Sequence, residues 1–315
     1  MAWYLVTGGG GFIGSNLTEA LLRAGEDVRV LDNFSTGRRS NLAEAEEWAR
    51  AGGARFALLE GDIQDAETCR RAMSGADYVL HQAAIPSVQR SVKDPVTTNA
   101  VNVAGTLNLL TAARDAAVKR FVFASSSSLY GESPTLPKIE TMPPAPISPY
   151  GLQKLAGETY CGLFHRLYGT PTVALRYFNV FGPRQDPGSE YSAVIPRFAT
   201  ALRDGGRPTV FGDGEQTRDF TFVANVVQAN RKACTAPPEA LGLAYNVACE
   251  DRISLNGLLG VLGELMGKKA DPLYAPARSG DIRHSLADIA RARALLGYAP
   301  EITLREGLRR TVESL

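Results

Sequence analysis

Tyr150 and Lys154 stand four residues apart in Tyr150-Gly151-Leu152-Gln153-Lys154, at the start of a stretch with helical apolar spacing. That interval puts both side chains on one face of a helix. An ammonium beside a phenol favours the phenolate, so the pair predicts a Tyr150 brought by Lys154 toward the working range of a general base. Four serines at 125–128 close an apolar run. The C-terminal ends of strands line the ligand crevice of a parallel sheet, so these hydroxyls are expected to face the same site and hold a hydroxyl undergoing oxidation. Oxidation needs an acceptor, and the N-terminus offers a place for one. Gly8, Gly11 and Gly14 follow an apolar run and open a helical pattern. Such a turn lets the backbone approach a pyrophosphate, which rests on unpaired N–H groups at the helix start. Asp32 ends the next apolar run, 18 residues beyond Gly14. An acid there accepts hydrogen bonds from an adenosine ribose and repels a 2′-phosphate, favouring NAD over NADP. Arg38 and Arg39 follow and are the residues that would pair with a 2′-phosphate instead. Asp62 reads equally well as a partner for the adenine amine or as a helix N-cap.

These groups need a scaffold, and its pattern is visible. Apolar runs at 2–8, 26–32, 55–62, 77–84, 120–127 and 172–180 read as strands. Helical spacing at 13–24, 66–74, 95–117 and 149–168 alternates with them. Continuous apolar strands between helices predict an α/β fold, a Rossmann-type doubly wound parallel sheet covered on both faces. After Val180, Gly and Pro become dense and the alternation stops, as expected where a smaller mixed α/β C-terminal substrate domain begins. The segment 218–230 reads as a strand and helix returning to the first domain, 243–251 as a strand, and 254–266 and 286–296 as helices. The expected boundaries are 1–178 with a returning segment about 219–248 for the dinucleotide domain, and 179–218 with 249–315 for the substrate domain.

Composition narrows the function. The chain has 315 residues, 44% apolar and 21% charged, with 34 Lys and Arg against 33 Asp and Glu. A balance so near neutral gives no support for nucleic-acid or membrane binding. Cys69, Cys161, Cys234 and Cys249 show no paired spacing, and His81, His165 and His284 are scattered, so neither a disulfide framework nor a metal site is expected. The opening residues lack a basic n-region, and no window of 18 apolar residues occurs, so a cytoplasmic protein is expected.

The ordered set GGxGFIGS, DNFSTG, GDI, HQAA, ASSSSLYG, YGLQK and RYFNVFGPRQDP resembles the extended short-chain dehydrogenase/reductase family, over essentially the whole chain. Within it the chain is similar to UDP-glucose and UDP-N-acetylglucosamine 4-epimerases. The resemblance implies Ser126, Tyr150 and Lys154 as the catalytic set, Lys154 also holding a ribose. It implies NAD contacts from Gly8, Gly11, Phe12, Ile13 and Gly14, and from Asn33, Ser35, Thr36 and Gly37 around Asp32. Asp62, Ile63, Gln82, Ala83, Ala84, Asn102 and Tyr177 complete that set. Tyr150 would take the O4 proton while C4 gives its hydride to NAD, and the 4-keto sugar would turn over before the hydride returns. Net redox is zero, so NAD is expected to stay bound. A homodimer is implied too, through a four-helix bundle of the helices at 95–117 and 149–168. The wide stripe of Leu152, Leu155, Ala156, Thr159, Tyr160, Leu163, Phe164 and Leu167 fits core or interface alike.

For the UDP-sugar, the resemblance implies Asn179, Arg218, Arg278 and Asp281 at the diphosphate and ribose. Converging guanidiniums suit diphosphate oxygens. Sister 4,6-dehydratases carry Asp-Glu after the catalytic hydroxyl; Ser127 and Ser128 stand here and cannot supply an acid. Ser285 occupies the family's gate position, where a bulky Tyr excludes an N-acetyl group. With Ser87, Ser128, Gln185, Ala193 and Val194, it resembles the subgroup preferring UDP-N-acetylglucosamine and UDP-N-acetylgalactosamine, without excluding UDP-glucose. UDP-glucuronate 4-epimerisation would need a cation near C5, and no further basic residue stands out for it. A non-enzymatic NAD-sensing regulator on the same fold would keep the glycines yet is free to lose Ser126, Tyr150 or Lys154; all three are present.

Overall fold

A computed structural model of the chain describes residues 2–186, 194–277 and 283–315. Six parallel strands come first: β1 (Trp3–Thr7), β2 (Asp27–Asp32), β3 (Phe56–Glu60), β4 (Tyr78–His81), β5 (Arg120–Ser126) and β6 (Thr172–Tyr177). The strands then shorten to β7 (Val180–Phe181), β8 (Thr209–Phe211), β9 (Thr217–Arg218) and β10 (Thr221–Phe222). β11 (Ala244–Val247) returns to the main sheet, before β12 (Ile253–Ser254) and β13 (Leu273–Ala275). The main sheet has seven strands in the order β11-β6-β5-β4-β1-β2-β3, all pairs parallel. The order reverses between β1 and β4, where open parallel sheets leave a crevice.

Both faces are covered, as the apolar runs imply. Along β5, Phe121 and Phe123 enter one buried cluster while Val122 and Ala124 enter another. Leu5 and Val6 of β1 part the same way. On one face pack α1 (Phe12–Arg23) and α2 (Ala45–Gly52), on the other α3 (Ala66–Met73). The expected helix at 95–117 is interrupted. After α4 (Val88–Lys93) and α5 (Pro95–Asn99), a π-helical turn spans Ala100–Gly105 before α6 (Thr106–Asp115). Such bulges gather at functional sites. α7 (Pro149–Tyr168) starts as its sequence dictates: the Ser148 side chain accepts the Gly151 N–H at 3.1 Å, and Pro149 needs no donor in the first turn. A third apolar cluster, with Phe181, Phe198, Val210, Leu258 and Leu308, lies beyond the sheet. It draws on α8 (Val194–Arg203), α10 (Leu255–Met266) and α12 (Leu304–Glu313), with α9 (Val223–Cys234) and α11 (Ala290–Leu296) completing the helices. No described helix is long and apolar enough to cross a membrane.

His81, at the end of β4, makes a testable core. Its Nδ1 lies 2.7 Å from Thr7 Oγ1 and its Nε2 2.8 Å from Thr106 Oγ1. Burial, with Lys154 nearby, pushes its pKa down to about 3 from 6.5. Between those values the unfolded chain binds a proton that the folded chain refuses. Stability is therefore full above pH 6.5 and falls as pH drops, by up to about 1.4 kcal/mol per pH unit. Denaturant unfolding at pH 7 and pH 5 should show this loss, and His81→Gln should flatten it; equal slopes in both chains would contradict the assignment.

Candidate active site

A cleft of about 630 Å³ opens at the C-terminal ends of β1, β2, β4 and β5. Gly8, Gly11, Phe12, Ile13 and Gly14 form its floor, and Asp32, Asn33, Ser35, Thr36 and Gly37 its wall after β2. Asp62 and Ile63 follow β3; Gln82, Ala83, Ala84 and Ser87 follow β4. Tyr150, Lys154, Tyr177 and Gln185 close the inner end. Gly8 has φ +70°, and a Cβ there would meet Ala83 N at 2.7 Å, so β1 and β4 exit too close together for a side chain.

Asp32 is buried, and Oδ2 accepts the Gly10 N–H at 2.8 Å while Oδ1 accepts the Phe34 N–H at 2.7 Å. Burial raises its pKa; the two N–H donors oppose this. Arg38 pairs with Asp186 at 2.7 Å, and Arg39 with Glu60 while lying over the Phe34 ring. Both guanidiniums thus have carboxylate partners on the surface, and the buried acid Asp32 is what favours NAD. The glycine cradle, the ribose-type acid and the size of the cleft fit NAD. Asp62 is not the helix cap: Asp65 caps α3, accepting the Glu67 and Thr68 N–H groups. Asp62 instead accepts from Asn33 Nδ2 at 2.8 Å and from the Gln64 N–H at 2.8 Å. Asn102 has protein partners of its own. It is buried in the π turn, where Oδ1 accepts the Ile85 N–H at 2.8 Å and Nδ2 donates to Ile85 O and Gln153 Oε1. It pairs like a strand with the segment after β4, holding the wall from behind.

Tyr150 is half-buried, with Ser126 close enough to its phenol to favour the phenolate. Ser126 Oγ accepts from Ser128 Oγ at 2.9 Å. Lys154 is buried, with Nζ donating to Ala124 O at 2.7 Å and lying 5.9 Å from the Tyr150 ring centroid. Within the chain, burial pushes Tyr150 up to about 12, opposed by Ser126, and pushes Lys154 down to about 8. The expected lowering of Tyr150 by Lys154 is therefore not realised by the chain alone. Desolvation opposes both charged forms.

A second cleft of about 230 Å³ takes in Asn179, Val194 and Arg218. Phe181, Phe211, Gln216 and Phe220 also line it, and nothing in their spacing announces this. Ser285 donates its N–H to Thr217 O at 3.0 Å, one residue from Arg218. Ala193, Arg278 and Asp281 lie outside the described residues. Ser87, Asn179 and Arg184 have positive φ (95°, 36° and 68°) and all line one cleft or the other. Non-glycine backbone of this kind costs about 1–3 kcal/mol and gathers where a ligand is gripped. Arg90 lines the first cleft beside Ser87.

Fold and clefts together define a Rossmann-type dinucleotide-binding protein with a serine–tyrosine–lysine group at its inner wall. The chain belongs to the NAD dependent epimerase/dehydratase family, whose family model matches residues 4–248, and falls among its UDP-sugar 4-epimerases. It is 41% identical over 311 residues to the UDP-glucose 4-epimerase of Mycolicibacterium smegmatis, covering 98% of this chain and 97% of that one. The structure of UDP-glucose 4-epimerase with UDP-glucose from Thermotoga maritima matches with TM-score 0.92 at 38% identity, over 99% of this chain and 98% of that one. UDP-N-acetylglucosamine 4-epimerase from Methanobrevibacter ruminantium, in complex with UDP-N-acetylmuramic acid, matches with TM-score 0.92 at 38% identity, over 99% and 97%. NAD is the cofactor of the family.

Proposed function

We propose that the chain inverts C4 of a UDP-hexose, interconverting UDP-N-acetylglucosamine and UDP-N-acetylgalactosamine, with UDP-glucose and UDP-galactose as further substrates. The observation that carries this reading is that Tyr150 and Lys154 line, at the end of β5 beside Ser125, the same cleft that fits NAD. Tyr150 takes the proton from the sugar O4 and later returns it, while Ser126 holds O4 and relays that proton. Lys154, held by Ala124 O, keeps donors for a ribose. When bound, NAD supplies the acceptor and the donor of the C4 hydrogen. Ser127 and Ser128 offer no acid for elimination of water, which sets dehydratase chemistry aside. The second cleft, with Arg218, Asn179 and aromatic walls, suits the nucleotide end of the substrate, for which the sequence also offers Arg278 and Asp281, outside the described residues.

The domain assignment follows: 1–178 with about 219–248 for NAD, and 179–218 with 249–315 for the UDP-sugar. A homodimer is part of the reading. α7 buries Cys161 and Phe164 but exposes Leu152, Leu167 and Tyr168, and Val92 and Val96 are exposed nearby in sequence to the cleft wall. Those apolar residues are what a second copy would cover.

Ser285 is the proposed gate. Ser285→Tyr should cut turnover of the N-acetylated sugar at least ~10-fold more than that of UDP-glucose, because added bulk acts only on the larger substituent. Parallel rate assays on both sugars check this, and equal losses would remove the gate. Arg90 favours a second reading, UDP-glucuronate, since a guanidinium in the cleft wall suits a C5 carboxylate. Faster turnover of UDP-glucuronate than of either neutral sugar would replace the first reading.

A further inference from the structure

α7 meets the end of β5 at three successive residues. Lys154 donates to the carbonyl of residue 124, Glu158 accepts from Ser125 Oγ at 2.7 Å, and Ser126 comes close to the Tyr150 phenol. Residues 150, 154 and 158 recur at intervals of four, so they share one face of the helix. Glu158 is itself fixed. Arg176 of β6 donates to it from Nε at 3.0 Å and from Nη2 at 2.6 Å, with both side chains almost wholly buried. Arg176 Nη1 then donates to Tyr130 OH at 2.6 Å, and Tyr130 OH donates to Asn246 Oδ1 at 2.7 Å.

A buried ion pair is a poor device for stability, since well-packed apolar residues of similar volume often do as well or better. Here the pair spans three elements, and Glu158 spends its remaining acceptor on the hydroxyl next to Ser126. We propose that Glu158 and Arg176 are positioning residues that act through Ser125, setting the end of β5 so that the Ser126 hydroxyl meets the Tyr150 phenol. The charge-assisted bond from Ser125 fixes the strand terminus more firmly than a neutral contact. A shift of about 1 Å at reacting groups costs on the order of 100-fold in rate, so a hydroxyl that pins the neighbouring residue has leverage out of proportion to its size.

The kinetic arm rests on the 4-epimerase reading; a second arm does not. In the full chain, Ser125→Ala should lower kcat about 10-fold with KM for the UDP-sugar and bound NAD unchanged, the pattern of a lost transition-state contact. The phenol of Tyr150, followed as the phenolate absorbance lost in a matched Tyr150→Phe chain, should titrate higher in Ser125→Ala because Ser126 is no longer held beside it. That titration uses no sugar. Glu158→Leu combined with Arg176→Met should keep the melting temperature yet lose turnover and move the titration in the same direction. If that pair fails to fold, Ser125→Ala decides alone. Unchanged kcat and an unmoved Tyr150 titration in Ser125→Ala would overturn the proposal. If the parent chain converts no UDP-sugar, the epimerase reading fails, while the titration still decides the positioning role.

Discussion

Tyr150→Phe is expected to leave a folded chain with NAD bound and turnover lowered by about 10²–10⁴-fold, the usual contribution of a positioned general base. The ring stays, so packing against Lys154 and the cleft wall is kept. What goes is one oxygen beside Ser126, a small loss to stability. Since the phenol is pushed up to about 12 within the chain, the same reasoning gives the parent a rate that rises with pH as the phenolate fraction grows. The variant should lose that limb. Rate profiles from pH 6 to 10, with NAD content measured on the same samples, check both parts. A variant that keeps robust turnover would remove Tyr150 from the chemistry.

Gly14→Ala is expected to abolish NAD retention. A Cβ at Gly14 would lie 2.1 Å from Gly8 O and 2.8 Å from both Gly8 C and Gly9 Cα, all of them backbone. No side chain can rotate away to make room. Either α1 withdraws from the turn or the turn opens, and both remove the N–H cradle from the pyrophosphate. Overpacking of this kind costs typically 1–3 kcal/mol, so the purified chain should melt earlier as well as lack dinucleotide absorbance. Full NAD occupancy in Gly14→Ala would show that the glycine turn is not the pyrophosphate seat.

Much of the fold was legible because a sheet covered on both faces writes itself as unbroken apolar runs. Leu5 and Val6, or Val28, Val30 and Leu31, are fully buried in succession. Cleft residues at strand ends were legible for the same reason, since the turn after each strand marks the crevice. What stayed hidden depends on contacts distant in sequence. Glu158 reads as one more charge on a helix until Ser125 and Arg176, 33 and 18 residues away, are seen to close on it. Asn102 sits in a motif that gives position and not direction; the π turn aims its amide at Ile85. α2, α8 and α12, only eight to ten residues long, do carry an apolar face at helical spacing and were legible in principle. The second cleft rests on strands of two or three residues, too brief for any period to be read.

The stripe on α7 illustrates the same limit. Phe164 is buried and Leu167 is exposed, one turn apart in a stretch that looks uniformly apolar in sequence. The expected helix at 95–117 had the right extent but not the π turn, whose register depends on Asn102 reaching Ile85 and Gln153.

The most direct test of C4 inversion offers UDP-N-acetylglucosamine and UDP-glucose, separately, to purified protein with no cofactor added, and follows the sugar signals by proton NMR. The account predicts the C4 epimer from both, faster from the N-acetylated sugar, without added NAD. A 4-keto-6-deoxy product, or no epimer from either sugar even when NAD is supplied, would contradict it.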